Sequence, residues 1–128
     1  MKTNYKVAIA LVAGAAIGGA AIQGLHAQAK PQAYIVSEIT VTNVDAYTKE
    51  YVPLARAAIK KTGGKLVAAS QNTTSLEGAP QKSRVTINVY ESLEKAQASR
   101  NDADYKAARI IGDKYATFRA YVVEGLPQ

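Results

Sequence analysis

Twice along this chain the hydrophobic period shifts from two residues to about 3.6 and back to two, and that succession constrains the fold more than any single motif. Ala33 to Thr42 (AYIVSEITVT) is rich in β-branched residues and free of Gly and Pro, so it is predicted as the first strand. Asn43 is a good N-cap, and Asp45 falls in the first turn near the positive end of a helix dipole. Val44, Tyr47, Tyr51, Leu54 and Ala58 then recur at steps of three and four, one face of a helix. Pro53 lies inside that stripe, lacks an N–H and crowds the carbonyl four residues back, which predicts a kink or a restart near Tyr51 and Val52. Gly63 and Gly64 end the helix, after Lys60 and Lys61 in its last turn.

The second half repeats the scheme. Lys65 to Gln71 reads as a strand, and Asn72 to Ser83, polar and broken by Gly78 and Pro80, as a long hairpin loop. Arg84 to Tyr90 alternates cleanly, with Val85, Ile87 and Val89 of one parity and Arg84, Thr86, Asn88 and Tyr90 of the other. Ser92 can cap a second helix that Asn101 and Asp102 interrupt, and Asp104 to Ala116 carries Tyr105, Ala108, Ile111 and Tyr115 at helical steps. Phe118 to Glu124 is the last strand. With right-handed crossovers, βαββαβ gives an α+β, ferredoxin-like, four-stranded antiparallel sheet with both helices on one side and the first and third strands central.

Helices on one side leave the other sheet face wet, paired with a second subunit, or folded over a ligand. If Val85, Ile87 and Val89 point to the helices, that uncovered face carries Arg84, Thr86, Asn88 and Tyr90, with Tyr34, Val36 and Glu38 of the first strand beside them. Glu38 is then expected near Asn88 or Thr86, walled by Tyr34 and Tyr90. A half-polar, tyrosine-edged surface suits a dimer interface or a shallow pocket. Glu38 reads as an ion-paired carboxylate or as a general base, Arg84 as a salt-bridge partner or a substrate clamp, and Tyr47 with Tyr51 as core rather than as a cofactor wall.

Before the first strand the chain reads as an address. Lys2 and Lys6 precede an uncharged Ala- and Gly-rich stretch, and Ala27-Gln28-Ala29 is a small-residue exit ahead of Lys30. That is the pattern of a secretory signal peptide over residues 1–29, which leaves a domain of residues 30–128 and a periplasmic or secreted location. The rival is an uncleaved membrane anchor, although a span wants ~20 strongly apolar residues and this one is diluted by Gly14, Gly18 and Gly19. No stable membrane insertion is expected once the leader is cleaved.

Cleavage narrows the chemistry. The single His of the chain, His26, goes with the leader and there is no Cys, so Ser-His and Cys-His nucleophiles, thiolate or imidazole zinc sites and proximal-His haem ligation are excluded. No metal or other cofactor is expected. The formal net charge of +6 falls by the two leader lysines, and the rest is scattered without a basic block, so no nucleic-acid partner is expected. The chain has no G-x-G-x-x-G loop to cradle a phosphate, and Asp102 with Asp104 lacks a third acidic ligand for calcium.

The run Ala33-Tyr34-Ile35-Val36, the Val41-Thr42-Asn43-Val44-Asp45-Ala46-Tyr47 stretch with Tyr51, Gly63-Gly64-Lys65, Leu76-Glu77-Gly78, Arg84-Val85, Ser92 to Ala96, Asn101 with Tyr105, and Val123-Glu124-Gly125 together resemble the DUF1330 family in order and spacing. The resemblance spans essentially all of the domain. It implies a dimeric α/β barrel, in which two ferredoxin-like sheets pack face to face, in a family of uncharacterised function whose wider relatives include cofactor-free monooxygenases. Val67-Ala68-Ala69-Ser70 departs from family habit, which often places an Arg late in this strand. The combined expectation is an exported homodimer with a pocket between sheet and helices that binds a small apolar or aromatic molecule. Glu38 is the catalytic candidate, and Tyr34, Arg84, Asn88, Tyr90 and Tyr105 are binding candidates. A cofactor-free, monooxygenase- or isomerase-like enzyme is one form of that expectation, and a non-catalytic structural or stress-related dimer is the alternative.

Overall fold

The computed structural model describes residues 30–80 and 84–128. Residues 1–29, expected to be a leader with its exit at Ala27 to Ala29, and residues 81–83, expected to end the hairpin loop, lie outside the described residues.

The elements run β1 (Ala33–Val41), a short helical turn α1 (Val44–Ala46), a π-helical turn (Tyr47–Tyr51), α2 (Val52–Lys61), β2 (Lys65–Ser70), β3 (Arg84–Tyr90), α3 (Leu93–Asn101), α4 (Ala103–Gly112) and β4 (Ala116–Glu124). The four strands form one sheet in the order β2-β3-β1-β4, with every neighbouring pair antiparallel. This is the ferredoxin-like α+β fold expected from the two period shifts. No helix among the described residues is long and apolar enough to cross a membrane.

Local chemistry sets the boundaries. The Asn43 side chain accepts a hydrogen bond from the Ala46 N–H at 3.1 Å, the Ser92 hydroxyl accepts from Lys95 N–H at 3.3 Å, and the Asp102 carboxylate accepts from Asp104 and Tyr105 N–H. Asp102 therefore closes α3 and caps α4, which is the interruption predicted at Asn101-Asp102. The disturbance expected from Pro53 takes the form of a widened turn. The Val52 N–H reaches the carbonyl of Tyr47, five residues back, and Pro53 enters α2 at its first turn, where its missing N–H costs no intrahelical bond.

Side-chain direction departs from expectation. Ala33, Ile35, Ser37 and Ile39 are the buried positions of β1. Across the register they stand opposite Tyr90, Asn88, Thr86 and Arg84 of β3. Directly opposed residues share a sheet face. Arg84, Thr86, Asn88 and Tyr90 therefore lie beneath the helices, and Val85, Ile87 and Val89 point to the open side, the reverse of the parity predicted. The cause is that alternation marks an apolar face without saying what covers it. Here the more apolar face is the open one, with Val36, Val85, Ile87, Val89, Tyr121 and Val123.

Two buried clusters tie the sheet to its helices. Ile39 packs with Tyr47, Tyr51, Ala55, Ala108 and Ala116 at one end, and Ala33 and Ile35 pack with Tyr90 and Ala96 at the other. Between them runs the cross-strand row Thr86–Ser37–Ala120, whose side chains are small. They do not fill the gap between sheet and helices, and that gap is a cavity.

Candidate site between the sheet and the helices

The cavity has a volume of about 660 Å³. Its floor is the sheet, through Arg84, Thr86 and Asn88 of β3, Ser37 and Ile39 of β1, and Phe118 and Ala120 of β4. A β-bulge at Val67 turns Leu66 to the same side, opposite Asn88. Its roof is helical: Tyr47, Tyr51, Ala55 and Ile59 from the first helical segment, and Arg100, Tyr105 and Arg109 from the second.

The aromatic wall is continuous. The rings of Tyr47 and Tyr51 lie 5.1 Å apart between centroids, and Tyr51 meets Phe118 edge to face at 5.4 Å. The π-helical turn produces this arrangement by directing both tyrosines inward. Guanidinium groups stand near rings of the lining: Arg109 at 3.7 Å from the Phe118 centroid, Arg100 at 4.3 Å from Tyr105 and Arg84 at 6.0 Å from Tyr47.

Charge in the lining is of one sign. Arg56, Lys60, Lys65, Arg84, Arg100 and Arg109 line the cavity, and no Asp or Glu is among the lining residues. Arg109 is paired with Asp113 at 2.9 Å, one turn on. Among the described residues, Arg84 and Arg100 have no carboxylate within ion-pair distance. Burial raises the Tyr47 hydroxyl above its ordinary pKa, although Arg84 works against that rise. Burial, reinforced by Tyr105 and Tyr47, raises Tyr51 much further. Both phenols are therefore neutral at physiological pH and can donate or accept hydrogen bonds. Four polar atoms of the lining are buried without a hydrogen-bond partner: Arg84 Nε, Arg100 Nη1, Arg109 Nε and Asn88 Oδ1.

The structure divides the residues that sequence reading grouped. Arg84, Asn88 and Tyr105 line the cavity. Tyr90 is fully buried in the end cluster, its ring against Gly64, and its hydroxyl has no partner. Glu38 and Tyr34 lie on the open face, opposite Val85 and Val89. The expected grouping of Glu38 with Asn88 and Thr86 does not form, because odd and even positions of β1 project to opposite sides. Glu38 instead accepts an ion-paired hydrogen bond from Arg119, directly across on β4. Sequence reading passed over Ser37, Arg100, Arg109 and Phe118. The signal for the two arginines was present, since Arg100 follows buried Ser99 and Arg109 follows buried Ala108, at the margin of each helix's inner stripe.

No group of three or more His, Cys, Asp or Glu among the described residues could hold a metal ion. The model of the family described as "Domain of unknown function (DUF1330)" matches residues 32–126. No curated protein matches the sequence. Among solved structures, a protein of unknown function from Rhodopseudomonas palustris is similar at 20% identity and a TM-score of 0.60, over 76% of this chain and 84% of that one. SnoaB, a cofactor-independent oxygenase from Streptomyces nogalater, aligns at 12% identity and a TM-score of 0.57, over 77% and 96%. A dimeric protein of unknown function and ferredoxin-like fold from Bacteroides fragilis aligns at 10% identity and a TM-score of 0.54, over 73% and 96%. At these identities the likenesses establish the shared fold.

Proposed function

The chain belongs to the DUF1330 family, and from that premise we propose that it is an exported homodimer whose subunits each bind a small aromatic molecule between sheet and helices. The observation that carries the reading is the cavity of about 660 Å³ walled by Tyr47, Tyr51, Tyr105 and Phe118. Its size falls within the ~300–1,000 Å³ of small-molecule sites, and so does its make-up of aromatic walls with a few polar groups. The apolar open face, which needs cover, and the dimeric neighbour of the same fold support the homodimer. Glu38, Arg119 and Tyr34 then belong to the subunit interface. Export rests on the leader pattern of residues 1–29.

Thermal melting tests the binding. Excess 2-naphthol, a neutral two-ring probe, raises the melting temperature if the cavity binds aromatic molecules. No rise with this or other two-ring aromatics overturns the reading and leaves a structural dimer as the better account.

A catalytic extension takes its direction from the neighbour described as a cofactor-independent oxygenase. Catalysis would use the groups that line the cavity. Neutral Tyr47 and Tyr51 hydroxyls, the Asn88 amide and the arginines can orient a phenol and stabilise its anion. Consumption of dissolved oxygen on addition of 2-naphthol supports that extension, and binding without consumption rejects it.

A further inference from the structure

The arginines of this cavity have a charge balance that an aromatic wall alone does not require. Four arginines line one space, exposed Arg56 among them, with Arg84 reaching it from the sheet and Arg100 and Arg109 from the helices. Arg109 has Asp113 as its partner. Arg84 and Arg100 have no such partner among the described residues, and each carries an N–H nitrogen, Nε and Nη1 respectively, that is out of contact with solvent and without an acceptor. Buried N–H groups of cations are costly to leave unmatched. Each guanidinium also lies near an aromatic ring, Arg84 at 6.0 Å from the Tyr47 centroid and Arg100 at 4.3 Å from that of Tyr105. Two such cations in a cavity without a carboxylate are the complement of an anion.

We propose that the ligand of this cavity is an aromatic carboxylate, its ring system against Tyr47, Tyr51 and Phe118 and its carboxylate received by Arg84 and Arg100. The inference rests on the aromatic-ligand reading above and specifies the charge of that ligand. The guanidinium fork matches the two coplanar oxygens of a carboxylate. A phosphoryl group is the weaker fit, because the chain has no glycine-rich loop to meet its further oxygens. Asn88, 3% exposed and with Oδ1 unmatched, lies four residues along β3 from Arg84, or about 13 Å at strand spacing. That is the reach of a two- or three-ring molecule. Asn88 offers its acceptor to a hydroxyl or amide N–H at the far end of the ligand.

Calorimetric titration of the protein with 2-naphthoate and with 2-naphthamide, equal in shape and differing in charge, tests this directly. The carboxylate is expected to bind at least tenfold more tightly. Arg84→Gln and Arg100→Gln are each expected to weaken 2-naphthoate about tenfold and to leave 2-naphthamide within twofold. Equal affinities for the two probes overturn the anion inference and leave the aromatic reading standing. Unchanged 2-naphthoate affinity in both folded variants overturns the assignment to these arginines. Binding of neither probe removes the aromatic reading and the inference with it. Should a variant fail to fold, the affinity ratio in the unaltered protein still decides.

Discussion

Gly112, the last residue of α4, lies against the ring of Tyr51. A Cβ at this position would stand 2.7 Å from Cδ2 and 2.8 Å from Cε2 of that ring, and 3.2 Å from Cζ of Phe118. The ring has little room to retreat, since Tyr47 and Phe118 hold its other sides. On an open helix Gly→Ala would stabilise by up to about 1 kcal/mol. Here overpacking costs ~1–3 kcal/mol, so Gly112→Ala is expected to be net destabilising. It should also displace Tyr51 into the cavity and weaken ligand binding. Denaturant titration checks the first effect, and a melting shift with 2-naphthol smaller than that of the unaltered protein checks the second. A variant as stable as the parent would show that the ring can yield.

Ile87 lies opposite Val36 of β1 and Ala68 of β2, on the sheet face that the helices leave open. If that face is covered by a second copy, an Asp there buries an unpaired charge at the interface while leaving the sheet–helix core untouched. Ile87→Asp is expected to sediment as a monomer with its circular dichroism retained. A variant that remains dimeric places the interface elsewhere.

The fold could be read from the sequence because it rests on periods and caps, which are local. Asn43, Ser92 and Asp102 cap the helices that they were read as starting or interrupting, and β1 and β3 are the central neighbours. The face was misread for a reason that no local pattern contains. Val85, Ile87 and Val89 look like core residues, and a residue buried against a second sheet carries the same signature as one buried against a helix. A pocket between sheet and helices was expected, but the residues that open it were hidden. It exists because Ser37, Thr86 and Ala120 come into one cross-strand row, and their positions are far apart in sequence. Arg100 and Arg109 were passed over because their place in the lining depends on the sheet beneath them.

The exit at Ala27 to Ala29 yields a chemical prediction. Export with cleavage leaves Lys30 as the first residue, with the folded unit starting three residues later at β1. N-terminal sequencing of the protein recovered from the periplasmic fraction of a Gram-negative host is expected to begin at Lys30. Recovery of the full-length chain from the membrane fraction would favour the uncleaved anchor.

Tyr47 and Tyr51 give stability a defined pH dependence. Burial raises both phenols above their ordinary value of 10.0. In the unfolded chain they ionise near that value, while in the folded chain they keep their protons. The unfolded state therefore binds fewer protons at high pH, and stability falls as pH rises past 10. Below the unfolded value both states are protonated, and these residues contribute no slope. The limiting slope is about 1.4 kcal/mol per pH unit for each phenol. Tyr51→Phe removes the more strongly raised group, so its stability at pH 11 relative to pH 8 should decline less than that of the parent. Urea midpoints at the two pH values measure this difference. Parallel declines in parent and variant would mean that Tyr51 ionises in the folded protein as readily as in the unfolded one.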